Sequence, residues 1–550
     1  MGSAAHRTFL ALCFSMAKIA LLLSLVLAAV SHAQNASQTS WNNVTGTSNT
    51  PFPTDVGFAG PVAYGIPPLR SQVDKLNSTE FQGNNYGVEM RWIPKDADKD
   101  HATSDDIFRN LGTTSPYHVA DDLFPETNAY RTMPDQCEIK QVHILHRHGA
   151  RYPTSSSHEA TSVFGAAVSN ATKAGTLDAT GDMAFLNSWN FSIGVEVLVH
   201  QGAQELFDSG TKHYYDYARL LQNYTDKLVL RTTSESRMLD TARYWMLGFF
   251  GWDAPSRANL EVLTEADKQN NTLASWFGCP NMNLDSFYIG DQLSTEWQQV
   301  YTKAPIDRLQ PMMPGVKLTP NLMYGMMSMC PYETVGLGYS NFCSLFTKEE
   351  WENYEYDIDL QFQGDYGFMN PAGKAQGVGW VVEFLDRLTK SQFKGPVTGQ
   401  NTTLDGNTTY FPSMQPLYAD FTHDDIIHSV LTSLNVTQIS DFLPTTKPDP
   451  KRRYRSSRVT PFAARLVWEV MDCQENNATT SYIRGKINEA VIPLNQDQGC
   501  SPRPDGLCKL QDFVSHQQES AVRDAKFDLV CFGQNGTDFT VTGPVRNGTI

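Results

Sequence analysis

The chain has 550 residues, of which 41% are hydrophobic and 19% are charged, and its formal net charge is −16. This composition excludes a mainly disordered protein, because a chain of this length can bury a large core. The acidic balance argues against a general binder of nucleic acids or anionic membranes, since both need a basic face. If the substrate is an anion, positive charge must be concentrated in one site.

Residues 1–33 have the pattern of a secretory signal peptide. Basic residues precede the apolar run Ile19–Val30, and Ala33 supplies the small residue of a cleavage site. The run is shorter than the roughly 20 apolar residues that a membrane-spanning helix needs. We therefore expect cleavage, a secreted extracellular protein and no membrane anchor after cleavage. The alternative is a signal anchor over Phe9–Val30, which Lys18 interrupts.

The rest of the chain divides into three predicted parts. Residues 34–115 form a stalk rich in Ser, Thr and Asn, followed by an irregular segment punctuated by Pro, Gly and Asp. Residues 116–252 and 358–550 form an α/β catalytic domain. Residues 253–357 are rich in Trp, Met and Pro without strand alternation, and we interpret them as the main part of a helical domain.

Three short buried-strand patterns each end in a polar, charged turn that is predicted to open a helix. The predicted strands are Gln141–His146, Lys227–Arg231 and Leu417–Phe421, and the runs that follow the last two are Met238–Phe250 and Ile426–Leu434. This alternation is typical of α/β proteins, whose active sites lie at the carboxyl ends of parallel strands. Pro371–Leu388 and Pro461–Met471 are predicted as two further amphipathic helices.

Loss of the signal peptide would remove Cys13 and leave eight of the nine cysteines. An even number in a secreted chain predicts disulfides, here four, although sequence alone leaves their pairing open. Asn-x-Ser/Thr sequons predict a glycosylated surface and exposed segments around them. They lie at Asn35, Asn43, Asn77, Asn170, Asn190, Asn223, Asn270, Asn401, Asn407, Asn435, Asn477, Asn535 and Asn547.

The segment Arg147–Thr154, with the sequence RHGARYPT, directly follows the first predicted strand. Arg147 and Arg151 flank His148, and positions four apart lie on one face of a helical turn. Free N–H groups at the start of a helix favour an anion, and arginine suits forked contacts with phosphate oxygens. The segment therefore predicts a phosphoryl site beside an imidazole. Ordinary ion pairs and a core histidine are the alternative.

RHGARYPT resembles the RHGxRxP signature of the histidine acid phosphatases, in the branch that contains the fungal phytases. A second family motif, a His-Asp pair after a strand, matches His423 and Asp424. The resemblance covers roughly Cys137–Cys531, which is most of the chain that remains after loss of the signal peptide. It implies an α/β fold with a central sheet and flanking helices, plus a second, mainly helical domain, as in phosphoglycerate mutase.

The resemblance also implies roles for single residues. His148 would be the nucleophile that forms a phosphohistidine. Asp424 would protonate the leaving alcohol and then activate water, with Asp425 as a weaker candidate for the same role. No cofactor and no metal are implied. The residues implied in phosphate binding are Arg147, Arg151, Arg237 and His423.

The family further suggests a disulfide pairing that the cysteine count alone does not give. The implied pairs are Cys137–Cys473, Cys279–Cys531, Cys330–Cys343 and Cys500–Cys508. The fungal phytases often have one more bridge near the N-terminus, which this sequence lacks.

We therefore expect a secreted, monomeric acid phosphomonoesterase that acts on a small phosphate monoester. Acid pH would favour a protonated Asp424 and a substrate monoanion. Phytate (myo-inositol hexakisphosphate) is the favoured substrate, with a broad-specificity acid phosphatase as the alternative.

Two more distant alternatives remain. A metallohydrolase would use His143, His146, His148, His423 and His428, but HxHxD and HExxH spacings are absent. A catalytically inactive secreted binding module is disfavoured because all the implied catalytic residues are present.

One basic run, Lys451–Arg455, stands out in the acidic chain. We interpret it as a solvated surface loop. Proteolytic processing, or a rim that attracts polyanions, is the functional alternative.

Overall fold

The computed structural model describes Tyr64 and residues 107–533, except residues 135, 156–158, 268, 285, 286, 394, 396, 397 and 476. The described residues all belong to one compact unit, residues 54–550. The predicted signal peptide and stalk lie outside the described residues, as do the sequons at Asn35, Asn43, Asn77, Asn535 and Asn547.

A mixed sheet lies at the centre of the fold, with the strand order β3-β2-β4-β1-β5-β6-β7 and β8 paired to β6. Strands β3, β2, β4 and β1 are parallel, whereas β5 to β8 add antiparallel pairs at one side. The strands are β1 (Cys137–Arg147), β2 (Leu228–Thr233), β3 (Ala258–Leu263), β4 (Leu417–Thr422), β5 (Arg465–Glu475), β6 (Ala478–Ile487), β7 (Ala490–Val491) and β8 (Cys508–Lys509).

Helices cover both faces of this sheet. They are α1 (Thr161–Lys173), α2 (His200–Tyr217), α3 (Ser236–Phe250), α4 (Ala254–Arg257), α5 (Ile289–Tyr301), α6 (Lys303–Leu309), α7 (Pro320–Leu337), α8 (Lys348–Asp365), α9 (Gly373–Thr389), α10 (Thr402–Asp405), α11 (Asp424–Ser433), α12 (Ser456–Val459), α13 (Leu510–Ala525) and α14 (Phe527–Phe532). None of the helices in the described part of the chain is long and apolar enough to cross a membrane.

The alternation of side chains along β1 explains the two layers of core. Val142 and Ile144 pack on one face, in a cluster that includes Trp245 of α3. His143 points to the other face, where its ring stacks on Tyr418 and meets the edge of Phe384 of α9. Because both faces are covered, the parallel strands are buried along their length, as is usual for α/β proteins.

The predicted α/β fold class and the three predicted strands are therefore confirmed. The predicted helix Met238–Phe250 is α3, Ile426–Leu434 overlaps α11, and Pro371–Leu388 overlaps α9. Between the strands, α5, α7 and α8 pack together as a mainly helical part. Helix α8 begins with a capping box in which Thr347 and Glu350 satisfy each other's backbone N–H groups.

The prediction of a helix at Pro461–Met471 is wrong, because most of this segment belongs to strand β5. Strand β5 lies between β1 and β6 and pairs with both in antiparallel register. Burial on both faces gives a nearly continuous apolar sequence, and such a run does not distinguish a strand from a buried helix.

The interpretation of residues 253–357 as free of strands is also wrong at one place. Ala258–Leu263 forms β3 and pairs with β2 in parallel register, so these residues belong to the sheet. The rest of the division into a catalytic part and a helical part stays a prediction.

The eight cysteines form four disulfides, and the pairs are those that the resemblance implies. They are Cys137–Cys473, Cys279–Cys531, Cys330–Cys343 and Cys500–Cys508. The first joins β1 to β5 at directly opposite positions.

The prediction that every sequon is exposed is wrong at two sites. Asn170, Asn190, Asn223, Asn407 and Asn477 are exposed, and Asn435 is half-buried. Asn270 and Asn401 are each only 4% exposed. The side-chain amide of Asn401 donates to the backbone carbonyl of Asn270 at 3.4 Å, so these two side chains stabilise loops and are inaccessible in the folded protein.

The basic run is mostly not a solvated loop. The guanidinium of Arg452 pairs with Asp359 at 2.9 Å and lies over the ring of Tyr356. Tyr454 is fully buried, and its hydroxyl lies 2.7 Å from Nε2 of His428. The run therefore anchors α8 and α11, and within it Lys451 is exposed.

Candidate active site

The residues implied by the two motifs meet at the carboxyl ends of three adjacent strands. Arg147 of β1 lies opposite Thr422 of β4, so the segments that follow these strands are neighbours. The backbone N–H of His148 donates to the carbonyl of Thr422 at 3.2 Å. Strand β2 borders β4 on its other side, and the turn after it brings Arg237 to the same edge.

His148 is held in one tautomer by its own loop. Its Nδ1 lies 2.9 Å from the carbonyl oxygen of Gly149, which can only accept, so Nδ1 carries the proton. Nε2 is therefore left with a lone pair, and the Nε–H of Arg151 points at it from 3.4 Å. This is the atom that a nucleophilic histidine uses.

The loop packs closely on the start of α2. A Cβ at Gly149 would lie 2.4 Å from the carbonyl oxygen of Gly202, so glycine is required at this contact. In the same helix, a carboxylate oxygen of Glu205 accepts the backbone N–H of Ala150 at 2.8 Å. These contacts fix the position of the imidazole.

Burial lowers the pKa of His148 well below its usual value, and the positive charges of Arg147 and Arg151 act in the same direction. Arg237 and His423 add smaller effects of the same sign. The ring therefore stays neutral in acid, where an exposed histidine would be protonated. A neutral ring keeps the lone pair on Nε2.

Arg147 connects the two motifs. Its guanidinium donates to the backbone carbonyls of Thr113 and Thr460, and its Nη2 lies 2.5 Å from a carboxylate oxygen of Asp424. Burial acts to raise the pKa of Asp424, but Arg147 and Arg151 outweigh it and hold that pKa below its usual value. Without a ligand, Asp424 is therefore charged.

The other two arginines are each held by carboxylates that the sequence patterns did not indicate. Arg151 pairs with Glu159 at 3.2 Å. Arg237 lies between Glu196, which it contacts closely, and Glu235, which is 2.5 Å away. Glu196 has a φ of 64°, a strained conformation for a non-glycine residue.

His423 lies just before α11 and has a buried acidic partner. Its Nε2 lies 3.1 Å from Oε1 of Glu265, and its ring is 5.9 Å from that of His148. Burial acts to lower the pKa of His423, but Glu265 outweighs it and raises the pKa above its usual value.

Asp425 stands in the first turn of α11, and its carboxylate accepts the backbone N–H of Ile426 at 2.8 Å. Burial raises the pKa of Asp425 to about 7, and the neighbouring Asp424 adds to the effect. Asp425 is thus protonated in acid and stays a second candidate for the proton donor.

Beside Arg151 and Asp424, a pocket opens toward the helical part. Much of its wall is aromatic. Its lining residues are Thr113, Thr114, Arg151, Thr154, Glu159, Tyr324, Ser328, Tyr332, Tyr354, Ile358, Gln361, Phe362, Tyr366 and Asp424.

Among the described residues, one group has the spacing to hold a metal ion, namely Glu235, Glu265 and His423. The guanidinium of Arg237 already occupies Glu235 at 2.5 Å, and this positive charge opposes a cation there. His143 and His146 do not join the group, because the first stacks on Tyr418 and the second bonds to Ser209.

The four carboxylates around these cations are the residues that sequence reasoning missed. Glu235 and Glu265 each follow the carboxyl end of a strand, which is the only signal that could have found them. Glu159 and Glu196 lie in irregular segments. Their contacts depend on tertiary structure.

Comparison with known proteins identifies the family. Residues 138–488 match the family described as the histidine phosphatase superfamily, branch 2. The chain is similar to Phytase A of Aspergillus oryzae, at 35% identity over 73% of this chain and 86% of the relative. It is also similar to Phytase A of Penicillium oxalicum, at 33% identity over 78% of this chain and 91% of the relative.

A solved structure supports the fold independently. The crystal structure of the phytase from D. castellii matches with a TM-score of 0.64 and 24% identity, and covers 82% of this chain and 94% of that one. With motifs, geometry, family match and relatives in agreement, the chain belongs to branch 2 of the histidine phosphatase superfamily and is a phytase-like hydrolase.

Proposed function

We propose that the protein is an acid phosphomonoesterase that works through a phosphohistidine on His148, with phytate as its favoured substrate. The observation that carries the proposal is the neutral, oriented Nε2 of His148, which faces Arg151 at 3.4 Å beside Asp424. It is a nucleophile within reach of a cationic phosphate site.

In the first step, Nε2 of His148 attacks phosphorus and the ester bond to the leaving alcohol breaks. The guanidiniums of Arg147, Arg151 and Arg237, together with His423, neutralise the charge on the phosphoryl oxygens. Because these groups are already fixed by buried partners, they need little rearrangement in the transition state.

Asp424 supplies the proton to the leaving oxygen, and substrate binding prepares it to do so. In the free site Arg147 keeps Asp424 charged. A bound phosphate competes for the same guanidinium and brings negative charge next to the carboxylate, which raises the pKa of Asp424. In the second step the ionised Asp424 takes a proton from water, which then attacks the phosphohistidine.

Acid pH suits this cycle for two reasons. Asp424 must be protonated when the alcohol leaves, and a phosphate monoester approaches its monoanion near a second pKa of about 6. The nucleophile does not oppose this preference, because burial and the arginines keep His148 neutral in acid.

Phytate is proposed from the relatives, which are named phytases. The pocket wall gives a reason to consider a second candidate, a broad-specificity acid phosphatase. Four tyrosines, Tyr324, Tyr332, Tyr354 and Tyr366, line the pocket, and Arg151 is the one cation among its described lining residues. Aromatic rings pack well on apolar or cyclic leaving groups and contribute no positive charge to hold extra phosphates.

A substrate panel separates these candidates. The values of kcat/KM for phytate and for 4-nitrophenyl phosphate are compared across acid pH, in the wild type and in Gln361→Lys, which adds a cation to the pocket wall. A phytase should favour phytate in the wild type. A broad phosphatase should favour the aryl ester, and Gln361→Lys should then raise kcat/KM for phytate selectively.

Secretion is proposed from residues 1–33 and from the four disulfides, which form and persist in oxidising compartments. N-terminal sequencing of the protein from culture medium should begin near Gln34. A thiol titration of the denatured, unreduced protein should find no free thiol, and two or more thiols would contradict the four bridges.

The phosphohistidine itself is tested by rapid acid-free quenching with ³²P-labelled substrate. The label should be acid-labile and should map to a peptide that contains His148. A label on serine or aspartate would overturn the mechanism.

A further inference from the structure

His423 is enclosed by two buried acids from neighbouring strand ends. Its Nε2 is 3.1 Å from Oε1 of Glu265 and 3.9 Å from Oε2 of Glu235. Glu265 has no solvent exposure, and its backbone N–H donates to Oγ of Ser234 at 2.8 Å. The acid is therefore fixed beside the end of β2, where its carboxylate reaches the imidazole.

This contact limits what the imidazole can do for a bound phosphate. A neutral imidazole has one N–H, and a carboxylate can only accept. If Glu265 takes that N–H at Nε2, a neutral His423 has only a lone pair left at Nδ1, which repels phosphate oxygens. Only the imidazolium can donate to Glu265 and to phosphate at the same time.

We propose that Glu265 is a positioning residue that keeps His423 as an imidazolium, so that its second N–H is available to the substrate phosphate. This inference rests on the proposed function, because it takes a tetrahedral oxyanion as the ligand of the site. It assigns a role to a carboxylate that does not itself touch the phosphate.

The surrounding charges are consistent with this role. Glu265 and, more weakly, Glu235 outweigh the effects of burial and of Arg237, and so raise the pKa of His423. From α11, which begins directly after His423, the charged Asp424 and the largely protonated Asp425 also face the ring.

From the other elements packed against it, His148 contributes a neutral ring and Trp276 an aromatic edge at 5.3 Å. Glu265 is thus the strongest stabilising partner of the imidazolium.

The test measures binding of inorganic sulfate by calorimetry between about pH 4 and pH 8. Sulfate mimics the phosphoryl group but does not change its own charge in this range. Burial raises the pKa of Asp425 to about 7, which lies within this range, so all proteins in the comparison carry Asp425→Asn. The quantity compared is the pH at which sulfate affinity begins to fall.

We expect Glu265→Gln to move this inflection to lower pH by at least about 1 unit, because an opposite charge next to a titrating group shifts its pKa by that much or more. Glu265→Asp keeps the charge and should retain most of the wild-type profile. Glu261→Gln is the matched control, since it changes a buried glutamate of β3 that belongs to another cluster. It should leave the inflection in place.

The outcomes separate this inference from the proposed function. An unchanged inflection in Glu265→Gln, with sulfate still bound, overturns the role of Glu265 and leaves the proposed function intact. Failure of the parent protein to bind sulfate at any pH contradicts the proposed function itself. A purely structural role predicts weaker binding at every pH, without a shift, and that result also overturns the inference.

If Glu265→Gln does not fold, the same sulfate titration is carried out with His423→Asn. It removes the titrating ring, so the inflection must disappear. Its persistence would show that another group is responsible and would overturn the proposal.

Discussion

Two clusters of arginines and carboxylates lie on the same strands and behave differently. The edge cluster, at the carboxyl ends of the strands, consists of Arg147, Arg151, Arg237, His148, His423 and Asp424. The inner cluster, below it between the sheet and α9, consists of Arg231, Arg387, Asp420, Glu383, Glu261 and Asp405. Both are buried, and the described lining of the pocket beside Arg151 and Asp424 includes no residue of the inner cluster.

The inner cluster satisfies its charges internally. Arg231 contacts Asp420 at 2.9 Å and Glu383 at 2.6 Å, and Arg387 contacts Asp420 at 2.7 Å. Its four carboxyls outnumber its two guanidiniums, and burial raises the pKa of Glu261 to about 8 and that of Asp405 well above its usual range. Glu261 and Asp405 are therefore held neutral beside the ion pairs of the inner cluster.

The edge cluster is arranged so that a ligand completes it. Its cations are also paired with acids, namely Asp424, Glu159, Glu196, Glu235 and Glu265, but Arg151 and Asp424 line the pocket. The number of arginines therefore does not identify a phosphate site. What distinguishes the edge cluster is that some of its charged groups line a pocket that a ligand can enter.

Loss of the proposed nucleophile from the edge cluster should have the greatest effect on activity. His148→Ala should reduce kcat by several orders of magnitude, because the proposed covalent intermediate forms on this side chain. The melting temperature should change little, since the imidazole of His148 lies among the polar groups of the site and is not part of the apolar core. Residual activity within tenfold of the wild type would contradict the assignment.

Next in size is the proton transfer at Asp424. Asp424→Asn keeps the shape but cannot donate, so hydrolysis of an alkyl phosphate should fall by about 10²–10⁴-fold. The fall for 4-nitrophenyl phosphate should be smaller, because a phenolate leaves with less help. The ratio of the two losses in steady-state kinetics is the measurement.

Asp425→Asn is the matched control for this experiment. Asp425 accepts a backbone N–H in the first turn of α11, which is a structural role. Its loss should be similar for both leaving groups. If Asp424→Asn loses the same activity with both leaving groups, or if Asp425→Asn shows the leaving-group dependence instead, Asp424 is not the general acid.

Sequence patterns named the residues that meet in the edge cluster but gave no sign of the inner cluster. The residues around His148 are contiguous in sequence, and so are His423 and Asp424. A short stretch of sequence is therefore enough to find each motif. Arg231 and Asp420 lie in predicted strands, but nothing in a strand pattern shows that they face each other across β2 and β4. Likewise Pro461–Met471 was predicted as a helix because a continuous apolar run does not distinguish a buried strand from a helix, and its partner β1 is distant in sequence.

The inner cluster should respond to a broken ion pair with lost stability. Arg231→Met leaves Asp420 and Glu383 buried beside a single remaining guanidinium, and such a change typically costs about 3–5 kcal/mol of unfolding free energy. Urea unfolding at fixed pH measures it. Arg219→Met, at an exposed arginine just before β2, is the control and should change stability little. Equal small effects in both would mean that the inner cluster is not a folding element.

The smallest predicted effect is the pH dependence of stability that comes from Glu261 of the inner cluster. The pKa of Glu261 is raised to about 8 by burial, against an ordinary value of 4.5 in the unfolded chain. The folded state therefore binds this proton more tightly. The stability that it contributes is complete below pH 4.5 and is lost as the pH rises toward 8.

In Glu261→Gln this side chain no longer titrates, so its contribution to the pH dependence of stability is removed. The variant should unfold like the wild type in acid but gain stability relative to it near neutral pH. Thermal melts in acid and near neutral pH test this. If the melting temperatures of the variant and the wild type differ by the same amount at both pH values, Glu261 does not titrate in the folded protein.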